Sequence, residues 1–482
     1  MPGSIARRSI RVRIARRSPV ARFVYAPRMS ETASSAGPAR VLSTFDAACI
    51  VIGAIVGVGI FFSPGQVAAL VESPTLALVA WSVGGVLALC GALAFAELGR
   101  RYVASGAQYQ VLRDAWGPLP AFVFVFCNAT AIQAGAIGII AIICANNLGA
   151  ALGYSGAHEL SNVAKLIIAS ALILSLTLAN VLGVKFGSTI QGFSVVSKIL
   201  ALFAVVAIAA WAKSSGKFDT PISEPPPNAM FGPLGVMAAL VPAFFAYGGW
   251  QHALWIAGEV RNPEKTLPRA IIGGVVIVVI VYVSANWAYL TMLGHEQTAT
   301  SKSIAADAVA RVFPGWGARG VAAAVTVSAF GVLNAQLLSG PRLIYGMARD
   351  GKFFAPFAKL GPSGTPIAAI LLLGLSGLGL LLIAGFDRVD KLTTGVVFID
   401  GIFFAMTAGA LLKPGFIPRS HKPLPLARIA GGVFVLGELA LLTGAMMNKD
   451  TYSAAWIGVV WIALAGVLYM VRFRQSTNRS SI

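Results

Sequence analysis

The chain has 482 residues, 57% of them hydrophobic and 11% charged, with 37 Lys and Arg against 18 Asp and Glu for a formal net charge of +19. Its mean hydropathy is +0.79. This balance excludes a soluble globule of ordinary composition and points to a bilayer as solvent. A spanning helix needs roughly 20 mainly apolar residues. By that ruler about twelve spans are predicted, at about 45–71, 75–97, 118–150, 163–184, 189–212, 232–257, 270–293, 320–341, 366–384, 392–412, 427–447 and 453–471. The connections are short and no GxxxxGK[ST] run occurs, so no nucleotide-driven motor is expected within the chain. With the N-terminus inside, eight basic residues precede Met29, twenty fall in other inside segments and nine outside. The positive-inside rule accounts for that bias and puts both termini in the cytoplasm, so the charge needs no nucleic-acid partner.

In chain order, residues 1–41 read as a basic, disordered tail. Its first 28 residues hold eight Arg and no acid, without the apolar core of a secretory signal. Three origins stay open: translation starting at Met29, a segment lying on anionic lipid, or an acid-poor transit peptide. The rest, 42–475, is expected to be one transmembrane domain, followed by a cytoplasmic tail at 476–482.

The first span holds GAIVGVGIF at residues 53–61. Gly53 and Gly57 form a GxxxG that lets helices pack closely. Together with Gly59 and the following Ser63-Pro64-Gly65, they also invite the helix to unwind at bilayer depth, where a bound ligand must replace the lost backbone bonds. Asp46 and Glu97 stand near span ends and read as interfacial. Lys198 falls near the middle of the fifth span. Such a lysine is a functional residue by default, the alternative being a side chain that snorkels from a helix end.

The sixth span carries the matching interruption, FFAYGGW at 244–250. Paired breaks at equivalent positions are the best sequence pointer to a midplane site in an inverted-repeat transporter. Spans one to five (about 42–212) and six to ten (about 230–413) thus read as two repeats of opposite orientation, with appended helices at about 427–472. After the second break, His252 and Trp255 either line a pocket or pack in the core. Glu259, with Arg261, Lys265 and Arg269, forms an inner gate or a topology signal. Asp400 in the tenth span either faces the cavity or is a paired structural carboxylate, and Glu438 in the eleventh reads as structural.

Cys49, Cys90, Cys127 and Cys144 all lie within spans and read as small packing residues. His158, His252, His295 and His421 are scattered, and neither CxxC nor HExxH occurs. No metal site, cofactor or catalytic constellation is expected.

Three motifs in order make the chain similar to a known family: GAIVGVGIFFSPG; FFAYGGW followed by Glu259 and NPEKTLPRAI at 262–271; and Asn334-Ala335 leading to RLIYGMARDG at 342–351. They resemble the amino acid-polyamine-organocation transporters, nearest to the L-type amino acid transporters and their bacterial permease relatives. The resemblance covers nearly the whole chain from about Leu42. It implies an all-α membrane protein of about twelve transmembrane helices in a LeuT-like fold, a 5+5 inverted repeat with discontinuous helices 1 and 6 plus two C-terminal helices.

The expected function is secondary active, sodium-independent amino acid transport by alternating access, as proton-coupled symport or exchange of neutral substrates. Cationic amino acid or polyamine transport is the runner-up, resting on Asp400, and a non-transporting membrane sensor is the alternative from another class. The zwitterion's carboxylate suits the freed N–H groups of Gly57, Val58 and Gly59 at the start of a half-helix. By resemblance its ammonium meets the carbonyls of Ile55, Phe245 and Gly248, and Phe245 also acts as an aromatic gate. Relatives often have Ser where this chain has Val58, so weaker carboxylate binding is expected. The resemblance further implies that Lys198 replaces a sodium ion, held by the Gly53 carbonyl and the Ser328 hydroxyl. Its ammonium is then either a permanent structural cation or the carrier of a coupled proton.

The expected location is a bacterial inner membrane. Animal L-type relatives are disulfide-linked to an accessory glycoprotein through a Cys between spans three and four. Residues 147–162 contain none, so no such subunit is expected.

Overall fold

The computed structural model describes residues 37–473, except 58, 155–157, 217–224, 228, 302, 385–388, 418–421 and 448, and omits the side chains at 384–397, 445, 447 and 449–455. Residues 1–36 of the expected tail at 1–41, the expected tail at 476–482 and the candidate Val58 lie outside the described residues.

Local sequence sets the helix starts. Ser43 and Asp46 form a capping box for α1 (Thr44–Ile55), each side chain accepting the other's backbone N–H at 2.8 and 3.2 Å. After α2 (Gly59–Leu70), Ser73 caps α3 (Pro74–Arg101), whose first residue is a proline that has no N–H to leave unpaired. A short helix α4 (Ala107–Trp116) leads to α5 (Pro118–Cys127), a π-turn at Asn128–Ile132, and α6 (Gln133–Ala151). Next come α7 (Asn162–Leu182) and α8 (Val184–Ser214), separated by Gly183. The second half holds α9 (Gly232–Tyr247), α10 (His252–Trp255), α11 (Pro263–Leu293), the short α12 (His295–Thr300) and α13 (Ile304–Val312), α14 (Gly317–Ser339) and α15 (Pro341–Arg349). It closes with α16 (Ile367–Ala384), α17 (Val389–Gly409), α18 (Ala427–Met447) and α19 (Lys449–Leu468).

Among the described residues, nine helices or helix pairs are long and apolar enough to cross a membrane. The pair α1 and α2, bent by 44°, makes ten, and two shorter apolar helices span Ile367–Ile383 and Phe398–Leu412. Two boundaries differ from expectation. The fifth span starts at Val184, which puts Lys198 at the middle of a 31-residue helix, and the NPEKTLPRAI segment is helical because Pro263 sits at its first turn.

From Pro38 onward the described residues form one compact unit. The broken helix lies inside it: α8, α11 and α14 pack around α1, while α9, α12 and α13 pack around α2. Small residues bring the helices close, as at Gly377 against Ile137 and Gly374 against Thr177. Two isolated parallel bridges, Leu42 to Val260 and Val71 to Met230, tie each end of the first broken span to the opposite end of the α9–α10 segment.

Candidate functional site

The two glycine breaks meet. α1 stops at Ile55, Val56 leaves the helix with φ −72° and ψ 83°, and α2 resumes at Gly59. α9 stops at Tyr247, Gly248 is extended (φ −61°, ψ 148°), and Gly249 has φ +137°, a conformation that side-chain-bearing residues rarely adopt. A Cβ on Gly249 would stand 2.7 Å from Ala54 C and Ile55 N, whereas one on Gly248 would meet nothing closer than the Phe245 carbonyl at 3.5 Å. Across the other half-helix, a Cβ on Gly59 would lie 3.2 Å from that of Ala246. Neither break could carry larger residues at Gly249 and Gly59 and still touch the other.

The carbonyls freed where α1 ends are occupied by side chains, as buried backbone requires. Lys198, 1% exposed, donates from Nζ to Gly53 O at 3.1 Å and Val56 O at 2.5 Å. A cation at a helix C-terminus also complements the helix dipole. The Ser328 hydroxyl, expected on the ammonium, donates instead to Val56 O at 3.3 Å, because α14 presents it to the end of α1. Ile55 O, expected to face a substrate ammonium, accepts the Tyr282 hydroxyl at 2.9 Å and the Gly57 N–H at 2.7 Å. Two of the expected ligand-facing backbone groups, Gly57 N–H and Ile55 O, therefore satisfy one another in this conformation. The first N–H groups of α2 have no acceptor within their helix, which suits an anion. Phe245 O accepts the Gly248 N–H at 3.2 Å, and the Phe245 ring is 38% exposed while the neighbouring Phe244 is buried.

A polar stripe on α8 positions the lysine. Gly187, Gln191, Ser194 and Lys198 follow at spacings of four, three and four, one face of a helix. Ser194 donates to Val327 O at 2.9 Å. Asn334 donates to Gly187 O at 2.9 Å and Gln191 Oε1 at 3.1 Å, and accepts from Asn180 at 3.0 Å. Gln191 presses on α1: a Cβ on Gly53 would lie only 1.7 Å from its Nε2. Gly53 is therefore the place where a side-chain amide takes the room of a missing methyl.

On the side of the chain expected to face the cytoplasm, Glu259 is 1% exposed and forms a two-pronged ion pair with Arg342, itself 1% exposed, at 3.0 and 3.2 Å. Arg342 also donates to Leu338 O. Burial pushes the Glu259 carboxyl above the usual carboxylate range, and the guanidinium opposes that push. The nearby sequence cluster of Arg261, Lys265 and Arg269 is not the partner: Arg342 arrives from the RLIYGMARDG motif, 83 residues away. Leu42 seals this end by donating to Glu259 O and accepting from Arg261 N, both at 2.9 Å. Asp46 and Glu97, read as interfacial, are buried. Asp46 pairs with Lys185 at 3.0 Å, and Glu97 with Arg100 at 3.2 Å and the Leu424 N–H at 2.9 Å.

His252 and Trp255 are buried with rings 4.2 Å apart. His252 Nδ1 meets Ser339 Oγ at 2.5 Å, and Trp255 Nε1 donates to Gln108 Oε1 at 2.7 Å. His252 Nδ1 and Trp255 Nε1 thus tie α10 to α14 and α4 in this conformation. Asp400 lies on α17, which packs against α18, the helix of Glu438, and Asp400 Oδ1 is buried without a hydrogen-bond partner among the described residues.

Sequence reasoning passed over Gly249, Tyr282, Gln191 and Arg342. Gly249 had a signal, the second of two adjacent glycines, and Gln191 had one too, its place seven residues before Lys198. Tyr282 carried no local signal, and Arg342, the first residue of the RLIYGMARDG motif, was not given a role of its own.

The amino acid permease family profile matches residues 42–478. The chain is 30% identical over 448 residues to the serine/threonine exchanger SteT of Bacillus subtilis, covering 89% of this chain and 96% of that one. It is 29% identical to the mouse b(0,+)-type amino acid transporter 1 (88% and 86% covered) and 28% identical to the human cystine/glutamate transporter (87% and 82%). With a matching profile and relatives that run almost end to end along it, the chain belongs to the amino acid permease family and is an amino acid transporter.

Proposed function

We propose that the protein exchanges neutral amino acids without sodium, by alternating access around the paired breaks. The observation that carries this reading is Lys198, whose buried Nζ bridges Gly53 O and Val56 O where a coupling cation would otherwise have to satisfy those carbonyls. In this reading its ammonium is a permanent cation, and the glycine breaks supply the backbone groups for the zwitterion: N–H groups from Gly57, Val58 and Gly59, and carbonyls from Ile55, Phe245 and Gly248. Substrate entry then requires that Gly57 N–H and Ile55 O give up one another.

The Glu259–Arg342 pair serves as the inner gate, and Phe245 covers the occupied site. His252 and Trp255 hold the inner half of the sixth span closed. Ten spans plus the two shorter apolar helices support a count of twelve, and the reciprocal end-to-end bridges support two five-helix repeats of opposite orientation. The charge bias supports both termini inside a bacterial inner membrane. The cysteine-free loop after α6 supports a transporter without a disulfide-linked subunit.

The test is purified protein in liposomes, offered labelled amino acids and polyamines with and without sodium, a pH gradient and internal substrate. Saturable uptake of neutral amino acids, accelerated by internal amino acid and indifferent to sodium, is expected. Sodium dependence would overturn the role of Lys198, and binding without flux would make the protein a sensor.

A further inference from the structure

Phe434 lies on α18, near the C-terminal end of the chain, and is 1% exposed. Its ring centroid stands 5.9 Å from that of Phe244 and 5.9 Å from that of Trp250. Those two rings flank the break in the sixth span: Phe244 is on the last turn of α9, and Trp250 directly follows Gly249. They also meet each other, at 6.2 Å. The three rings form a triangle, and one corner of it belongs to a helix far along the sequence.

A notch in α3 admits that corner. A Cβ on Gly91 would stand 2.5 Å from Phe434 Cε2, 2.7 Å from its Cδ2 and 3.0 Å from Trp250 Cζ2. A methyl group at Gly91 would therefore overlap the Phe434 ring and press on the indole. One turn on, Phe95 closes the cluster, with its ring 6.4 Å from Phe434 and 6.3 Å from Trp250. The indole and the Phe434 ring cross at 76°, the edge-to-face arrangement that aromatic pairs favour.

The break needs such a hold. Between Tyr247 and His252 the backbone leaves the helix, and Gly248 and Gly249 offer no side chains to pack. A segment with few bonds of its own opens locally at low cost unless its neighbours hold it. The rings on either side of the two glycines are what the rest of the protein can hold, and Phe434 touches both.

We infer that Phe434 is a positioning residue that staples the two sides of the sixth-span break, so that a C-terminal helix sets how firmly this half of the site is seated. Its consequence for transport rests on the reading that the amino acid binds at the paired breaks. An aromatic pair contributes a factor of about two to ten. Loss of both pairs therefore makes local opening of 244–250 about fivefold to a hundredfold more frequent. Substrate needs the seated break, so the same factor is the ceiling on the rise in KM.

Hydrogen–deuterium exchange of the full-length protein in lipid, followed in peptides covering 244–250, reads the seat without substrate. Phe434→Ala should exchange there about fivefold to a hundredfold faster, and Phe434→Leu, which refills the space without a ring, by a smaller factor. Gly91→Ala, which displaces the ring while leaving Phe434 in place, should also quicken exchange. Leu442→Ala is the comparison. Two turns along α18, Leu442 packs on Gly401, where a Cβ would stand 3.2 Å from its Cδ2, and its truncation should leave 244–250 as in the wild type. Exchange unchanged in Phe434→Ala and Gly91→Ala, or quickened equally by Leu442→Ala, would overturn the staple. Labelled-serine counterflow in proteoliposomes is the second readout: Phe434→Ala should raise KM and Leu442→Ala should not. If exchange quickens as expected while KM stays fixed, the staple stands and the placement of substrate at this break fails. If KM rises without faster exchange, the staple fails and that placement stands.

Discussion

Gly248 and Gly249 are adjacent in sequence, yet alanine at each should have opposite consequences. Gly248 has φ −61° and ψ 148°, which alanine adopts freely, and its nearest obstacle is 3.5 Å away. Fixing a compatible glycine as alanine is neutral or stabilises by up to about 1 kcal/mol. At Gly249 the added Cβ meets backbone of α1 at 2.7 Å and must adopt φ +137°. Backbone cannot rotate aside as a side chain can. Overpacking costs about 1–3 kcal/mol and the strained backbone about 1–3 kcal/mol more. The total of about 2–6 kcal/mol would reduce the population with apposed breaks by at least about thirtyfold, since each 1.4 kcal/mol is about a factor of ten. Counterflow of labelled serine into proteoliposomes, with thermal unfolding of the same samples, measures both parts. Gly248→Ala should transport and unfold like the wild type, whereas Gly249→Ala should lose most exchange. Equal behaviour of the two variants would refute the claim that the breaks are pressed together at Gly249.

Lys198→Met retains the length of the side chain but leaves Gly53 O without the ammonium, at about 1–3 kcal/mol for an unsatisfied group, and Val56 O with only the Ser328 hydroxyl. Sodium-free exchange should fall at least about tenfold, and Ser328→Ala, which removes one neutral bond, should cost less; full activity in Lys198→Met would contradict the cation role. Gly53→Ala should be inactive because its methyl displaces the Gln191 amide, and Gly53→Ala/Gln191→Ala should recover part of the exchange; a double variant no better than the single would show that the contact is not the cause. Glu259→Gln leaves Arg342 buried and unbalanced, a loss of about 3–5 kcal/mol, which thermal unfolding should register as a lower midpoint. Glu259→Gln/Arg342→Met should recover much of that stability, and additive losses would argue against a coupled pair.

Much of this was legible along the chain. Hydropathy located the spans because the bilayer demands about 20 apolar residues of each, whatever its neighbours. The glycine breaks and Lys198 stood out because unwound backbone and a charge are both costly at bilayer depth, so a local departure from apolar helix is already informative. The capping box at Ser43 and Asp46 was equally local.

What sequence could not decide is which side chain answers which group across a helix contact. A one-residue change of register turns a helical side chain by about 100°, so the partner depends on how packed helices cross and rotate. That is why Glu259 finds Arg342 83 residues away and not the basic cluster beside it, why Tyr282 takes the Ile55 carbonyl that had been assigned to a ligand, and why Ser328, assigned to the ammonium, bonds Val56 O. The sequence alone determined a membrane helix bundle with two breaks and one central cation. Tertiary packing decided that the breaks touch through Gly249 and that the cation binds the end of α1.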